Sequence, residues 1–131
     1  MSTPSRPLSP HLQVYRFAHT MALSILHRGT GLFLTAGLVS FTAWLLSIAS
    51  GPAAYAWSRA AFNRPPGWFL LAGFAFAFWY HLVAGVRHLV FDTGRALERR
   101  EARRSAVLVV VATLVLVALT AFVVLKHQGL A

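Results

Sequence analysis

The sequence predicts an all-α membrane protein with three transmembrane helices, and three observations carry that reading. Of 131 residues, 57% are hydrophobic and only 11% are charged, which is too apolar for a soluble domain of this length. The apolar residues are gathered into blocks, three of which reach the roughly 20 residues that a helix needs to cross a hydrocarbon core about 30 Å thick. The formal net charge of +9 sits between those blocks rather than along an amphipathic surface. That placement suits lipid headgroups and argues against nucleic-acid binding.

Residues 1 to 28 carry Pro4, Pro7 and Pro10 and then HLQVYRFAHTMALSILHR, which mixes aromatics with Arg16 and three of the six histidines. The expected structure is a tethered arm and a short N-terminal interfacial helix, with Tyr15, Arg16 and Phe17 as surface anchors. No residue from 29 to 58 is charged, and the first span is expected over about 29–50. Its small residues Gly29, Gly31, Thr35 and Gly37 would let another helix approach closely. A cleaved signal peptide is not expected, although Ala54-Tyr55-Ala56 resembles a cleavage site, because the polar lead and the apolar run are both too long.

Residues 51 to 66, GPAAYAWSRAAFNRPP, read as a short external loop with Trp57 at the membrane interface. Pro65 and Pro66 suit a helix entry, so the second span is expected over about 67–91, with Trp68 near its start. The next loop holds five arginines and two glutamates at the headgroup level. The third span, about 105–125, ends at Lys126 and His127 and carries no obvious chemistry. The whole chain, 1–131, reads as one membrane-anchor domain. Arginine and lysine beside the spans divide nine against three, which places the N-terminus on the cytoplasmic side, or on the matrix side of a mitochondrion.

One stretch of the second span, WYHLVAGVRHLVFD at Trp79 to Asp92, is not an ordinary apolar run. At about 100° per residue, Gly85, His88 and Asp92 all fall within roughly 40° of His81, so the four share a helix face. His81 lies six residues, or about 9 Å, inside Arg87, and a polar group at that depth should face a protein interior. Gly85 removes a side chain where a large planar ligand on the His81 nitrogen would need room. A haem is the natural candidate, with His88 two turns nearer water and suited to its propionates. The alternative is that His81 hydrogen-bonds to a neighbouring helix and binds nothing. The absence of cysteine excludes thiolate-held iron–sulfur clusters, covalent haem attachment and disulfides within the chain.

A second constellation stands where the first span begins. Ser24 and Arg28 are one helical turn apart with His27 alongside, presenting a hydroxyl and a guanidinium together, a pair that suits a quinone carbonyl. The plainer reading is a flanking positive charge and a spacer serine.

Three stretches, RPLSPHLQVYR at Arg6 to Arg16, SILHRGTG at Ser24 to Gly31 and HLVAGVRHLVFD at His81 to Asp92, resemble the signatures of the succinate dehydrogenase cytochrome b subunit family, in the same order around three spans. The resemblance covers nearly the whole chain. It implies a multi-pass membrane anchor of respiratory complex II in the bacterial inner membrane, with electron transport linked to the tricarboxylic acid cycle. The implied partners are a flavoprotein subunit, an iron–sulfur subunit and a second membrane anchor subunit that completes the helical bundle. By motif position, His81 is the implied axial ligand of haem b. His27, Arg28 and His88 match positions near the haem propionates, and Ser24 and Arg28 match positions lining the quinone site. Tyr80 and Asp92 belong to the motif without an assigned role. One departure is Gly29 before Thr30, where a bulkier residue is common.

On this reading the chain is not catalytic alone and shares its haem. His88 lies on the same helix and face as His81, about 10.5 Å along it. His27 is expected at the membrane edge, shallower than His81. The second axial histidine is therefore expected from the partner anchor subunit. The competing expectation is a structural three-helix anchor without haem; a transporter component is disfavoured because no acidic residue lies within a span.

Overall fold

The computed structural model describes residues 19–129. They form four helices: α1 (His19–Ala49), α2 (Pro52–Phe62), α3 (Pro65–Asp92) and α4 (Arg99–His127), with no strand among the described residues. Three of them, α1, α3 and α4, are long and apolar enough to cross a membrane. This is the expected all-α membrane architecture. The proline-marked arm and the anchors Tyr15, Arg16 and Phe17 lie outside the described residues.

The first spanning helix is longer than expected. Its apolar stretch runs Thr20–Ala49, so residues 19 to 28, expected in the interfacial segment, form its opening turns. Gly29-Thr30-Gly31 does not interrupt it. Backbone amides in hydrocarbon have no water to bond, so the helix ladder is retained even through glycine.

Residues 52 to 62, expected as loop, are helical. Gly51 turns the chain out of α1 with φ 103°, a left-handed conformation that glycine adopts without steric cost. Pro52 then starts α2 with φ already set for a helix, and five alanines follow,. Ser58, buried on α2, lies 2.8 Å hydroxyl to hydroxyl from Ser47 of α1. The turn into α3 is tight: a Cβ on Gly67 would come within 2.5 Å of the Phe62 carbonyl oxygen. Pro65 opens α3, as expected.

The central element is α3, which packs against both α1 and α4. Its inward residues are mostly small, and Ala77, Ala84, Ala106 and Val109 are buried together with Tyr80. Small side chains let membrane helices approach closely where no hydrophobic effect drives them together. Phe74 of α3 closes on Gly37 of α1 so tightly that a Cβ there would lie 2.5 Å from the ring. Between α3 and α4, the Trp79 indole donates to the Thr120 hydroxyl at 2.9 Å. Leu32, Trp57 and Phe69, each more than three-quarters exposed, illustrate the outward apolar surface that a bilayer covers.

Candidate functional site

Two successive residues of α3 bind two carbonyls of α1 that are one turn apart. The Tyr80 hydroxyl donates to the Leu23 carbonyl at 2.8 Å, and His81 Nδ1 lies 3.1 Å from the His27 carbonyl. A carbonyl can only accept, so the second bond requires Nδ1 to carry the proton and leaves the lone pair on Nε2. Thr30, buried on α1, donates its hydroxyl to the same His27 carbonyl at 2.9 Å and lies 3.4 Å from His81 Nδ1. The imidazole is thereby held in one tautomer and one orientation.

Glycine shapes the pocket from the α1 side. A Cβ on Gly31 would come within 2.9 Å of His81 Cε1, whereas a Cβ on Gly85 would meet only His27 Nε2, at 3.8 Å. Gly31 therefore gives the His81 ring its room on the α1 side, and Gly85 faces His27 at ordinary contact distance. Gly29 has open space around it, so of the four small residues singled out, Gly31 and Gly37 are the two glycines at which helices close.

His27 is level with His81, not shallower. The two rings stack with centroids 4.1 Å apart and planes 11° apart, and His88 tilts against His27 at 5.0 Å. These contacts show that α1 and α3 run antiparallel, with the first turns of one beside the last turns of the other. Parallel rings in van der Waals contact leave no room for an iron between them. His27 thus does not oppose His81 across a metal in this arrangement. The buried side-chain nitrogen or oxygen lacking a partner among the described residues is His27 Nε2. His81 Nε2 makes no hydrogen bond there either, but it is not buried.

The remaining expected site residues make no bond to this cluster among the described residues. Ser24 is half-buried, Arg28 and Asp92 are exposed, and none of the three has a hydrogen-bond or ion-pair partner among the described residues. Of the residues expected near the propionates, His27 and His88 are in direct ring contact. Arg28 and Asp92 do not pair. Sequence reasoning missed Thr30 and gave Tyr80 no role, and it took Arg87 for a flanking charge. Arg87 instead reaches α4, with Nε donating to Ser105 Oγ at 2.9 Å and Nη2 to the Ala102 carbonyl at 3.1 Å, its guanidinium lying 4.5 Å from the centre of the Phe91 ring.

Among the described residues no group of three or more histidine, cysteine or carboxylate side chains is placed to hold a metal ion. A haem needs no such cluster, since the porphyrin supplies four nitrogens and the protein one or two axial ligands. The donor set fits: one imidazole with its far nitrogen anchored by a carbonyl, its near nitrogen free, and a glycine against the ring. An apolar cavity of about 430 Å³, lined by Ser40, Phe41, Trp44, Phe62, Leu71 and Phe74, lies about two turns along α3 from His81 and is a separate feature.

Comparison with known proteins agrees with this architecture. Residues 2–120 match the model of the succinate dehydrogenase/fumarate reductase transmembrane subunit family. The chain is 42% identical to the succinate dehydrogenase cytochrome b556 subunit of Paracoccus denitrificans over 119 residues, 91% of this chain and 92% of the relative. It is 37% identical to the human mitochondrial cytochrome b560 subunit over 83% of this chain and 66% of that one, and 40% identical to the corresponding subunit of Reclinomonas americana over 72% and 69%. Three apolar helices and a match across nearly the full length make the chain a multi-pass membrane protein that belongs to the succinate dehydrogenase/fumarate reductase transmembrane subunit family.

Proposed function

We propose that this chain is the haem b-binding anchor subunit of a succinate:quinone oxidoreductase, with His81 as an axial ligand and Ser24 and Arg28 at the quinone. The observation that carries the reading is the state of His81: Nδ1–H is committed to the His27 carbonyl while Nε2 is open. A backbone carbonyl behind the ring fixes a metal-ligating imidazole and raises its basicity. A purely structural histidine also accounts for the Nδ1 bond and for Gly31, but it gives no use for the second nitrogen.

Haem b, when bound, supplies a one-electron carrier alongside the quinone. His81 would hold and orient it, and His27 and His88, in ring contact with each other, would with Arg28 hold its propionates. Ser24 and Arg28 lie one turn apart on α1, both without a hydrogen-bond or ion-pair partner among the described residues, so their donors are available to a quinone oxygen. Arg28 stabilises negative charge that develops there on reduction. Electrons come from an iron–sulfur subunit and ultimately from a flavoprotein, and a second membrane subunit supplies the histidine opposite His81. The setting is the bacterial inner membrane or its mitochondrial counterpart, with the N-terminus of α1 facing the cytoplasm or matrix.

The test is the haem content of the assembled complex carrying His81→Leu, measured as pyridine haemochrome. Loss of the haem with all subunits still assembled supports the assignment. Wild-type haem content and an unchanged reduced-minus-oxidised spectrum overturn it.

A further inference from the structure

The first two turns of α4 divide by face. Placed at about 100° per residue, Arg99, Arg100, Arg103 and Arg104 occupy a sector of roughly 140° that contains no carboxylate, with Glu98 and Glu101 outside it. All four arginines are exposed and none has an ion-pair or hydrogen-bond partner among the described residues. The opposite face holds Ala102, Ser105 and buried Ala106. Arg87 fixes this rotation, because its guanidinium bonds the Ala102 carbonyl and the Ser105 hydroxyl and so turns the four arginines outward.

The charges are placed against the helix they sit on. The N-terminus of a helix carries partial positive charge and favours acidic residues; here the first turn bears Glu101 alone as an acid, and the Glu98 side chain makes no cap bond. Four guanidiniums at this end are disfavoured unless an external anion compensates them. The same face continues downward as Val107, Val110, Val111 and Leu114, each between 43% and 60% exposed. A soluble acidic protein would match the arginines but not the hydrocarbon below them.

We propose that this face of α4 binds an anionic phospholipid, its phosphate between the arginine rows and its acyl chains along Val107, Val110, Val111 and Leu114. Arg99 and Arg103 form one row and Arg100 and Arg104 the other, each pair about 6 Å apart along the helix, close enough for two guanidiniums to share one phosphate. Planar bidentate donors suit that oxyanion.

The test uses the intact complex, delipidated in detergent and titrated with phosphatidylglycerol or phosphatidylcholine at low salt, with bound lipid read by native mass spectrometry. The wild type should bind phosphatidylglycerol in preference. Neutralising Arg99 and Arg103 to Gln should weaken that binding by roughly fivefold per arginine, while the corresponding lysine variant keeps most of it. Succinate oxidation by a soluble dye should not change in either variant. Equal binding of the two lipids by the wild type overturns the proposal, as does loss of the soluble subunits from the glutamine variant with lipid binding intact, which would assign the arginines to an acidic protein surface.

Discussion

His81 of α3 donates Nδ1–H to the main-chain carbonyl of His27 on α1, 3.1 Å away, and the side chain of His27 stacks on the same ring. One residue of α1 therefore positions the imidazole twice, through its backbone and through its face. The carbonyl is common to any residue at position 27, whereas the stacking and the orphan Nε2 are not. His27→Ala should therefore leave the orientation of His81 largely intact, read as a nearly unchanged haem spectrum, and loss of that spectrum would show that the stacked ring rather than the carbonyl holds His81.

Gly31→Ala should displace His81. A Cβ there would stand 2.9 Å from the ring, closer than side chains tolerate, and the ring cannot yield without lengthening its bond to the His27 carbonyl. The expected result is a shifted or lost b-type absorbance with the helices still inserted. Gly85→Ala, with its nearest atom at ordinary contact distance, should be far milder, and equal effects from the two would contradict this geometry.

Arg28→Leu should lower succinate-to-quinone turnover while leaving succinate oxidation by a soluble dye intact, since the guanidinium serves the quinone and haem within the membrane and not the site of succinate oxidation. Ser24→Ala should act in the same direction and more weakly, because one neutral hydrogen bond contributes about 0.5 to 1.5 kcal/mol. Parallel losses in both assays would remove the pair from the quinone site.

The bond between Trp79 and Thr120 should respond unequally to losing either end. Trp79→Phe removes the donor, and the Thr120 hydroxyl still bonds the Leu116 carbonyl; the cost in thermal stability should be small. Thr120→Val strands an indole N–H between helices, which costs about 1 to 3 kcal/mol. Calorimetric melting of the two variants separates them, and the reverse order would show that the indole finds another acceptor.

Much of this was legible in the sequence, for reasons that differ by element. The three spans are visible because crossing hydrocarbon demands uninterrupted apolar length whatever the packing. His81 is visible because an imidazole at that depth is costly and needs a partner. The depth of His27 was misjudged because Arg28 marks the first charge before the span, yet an exposed arginine can extend its long stem to the membrane surface and leave its own backbone buried in the bilayer. The helix α2 was hidden because proline, glycine and aromatics describe an interfacial helix as well as a loop. Thr30, Tyr80 and Arg87 act through carbonyls and hydroxyls on other helices, and no local pattern encodes which carbonyl a side chain will reach.

His81 is proposed as one axial ligand of a haem whose other ligand comes from a different subunit, since His27 stacks on His81 and His88 shares its helix. The most direct measurement is the absorption and electron paramagnetic resonance spectrum of haem bound to this chain expressed with and without its membrane partner. A low-spin, bis-imidazole haem should form only when both are present and should disappear in His81→Leu. A stable low-spin haem in the isolated chain, or its survival in the His81→Leu complex, would contradict the claim.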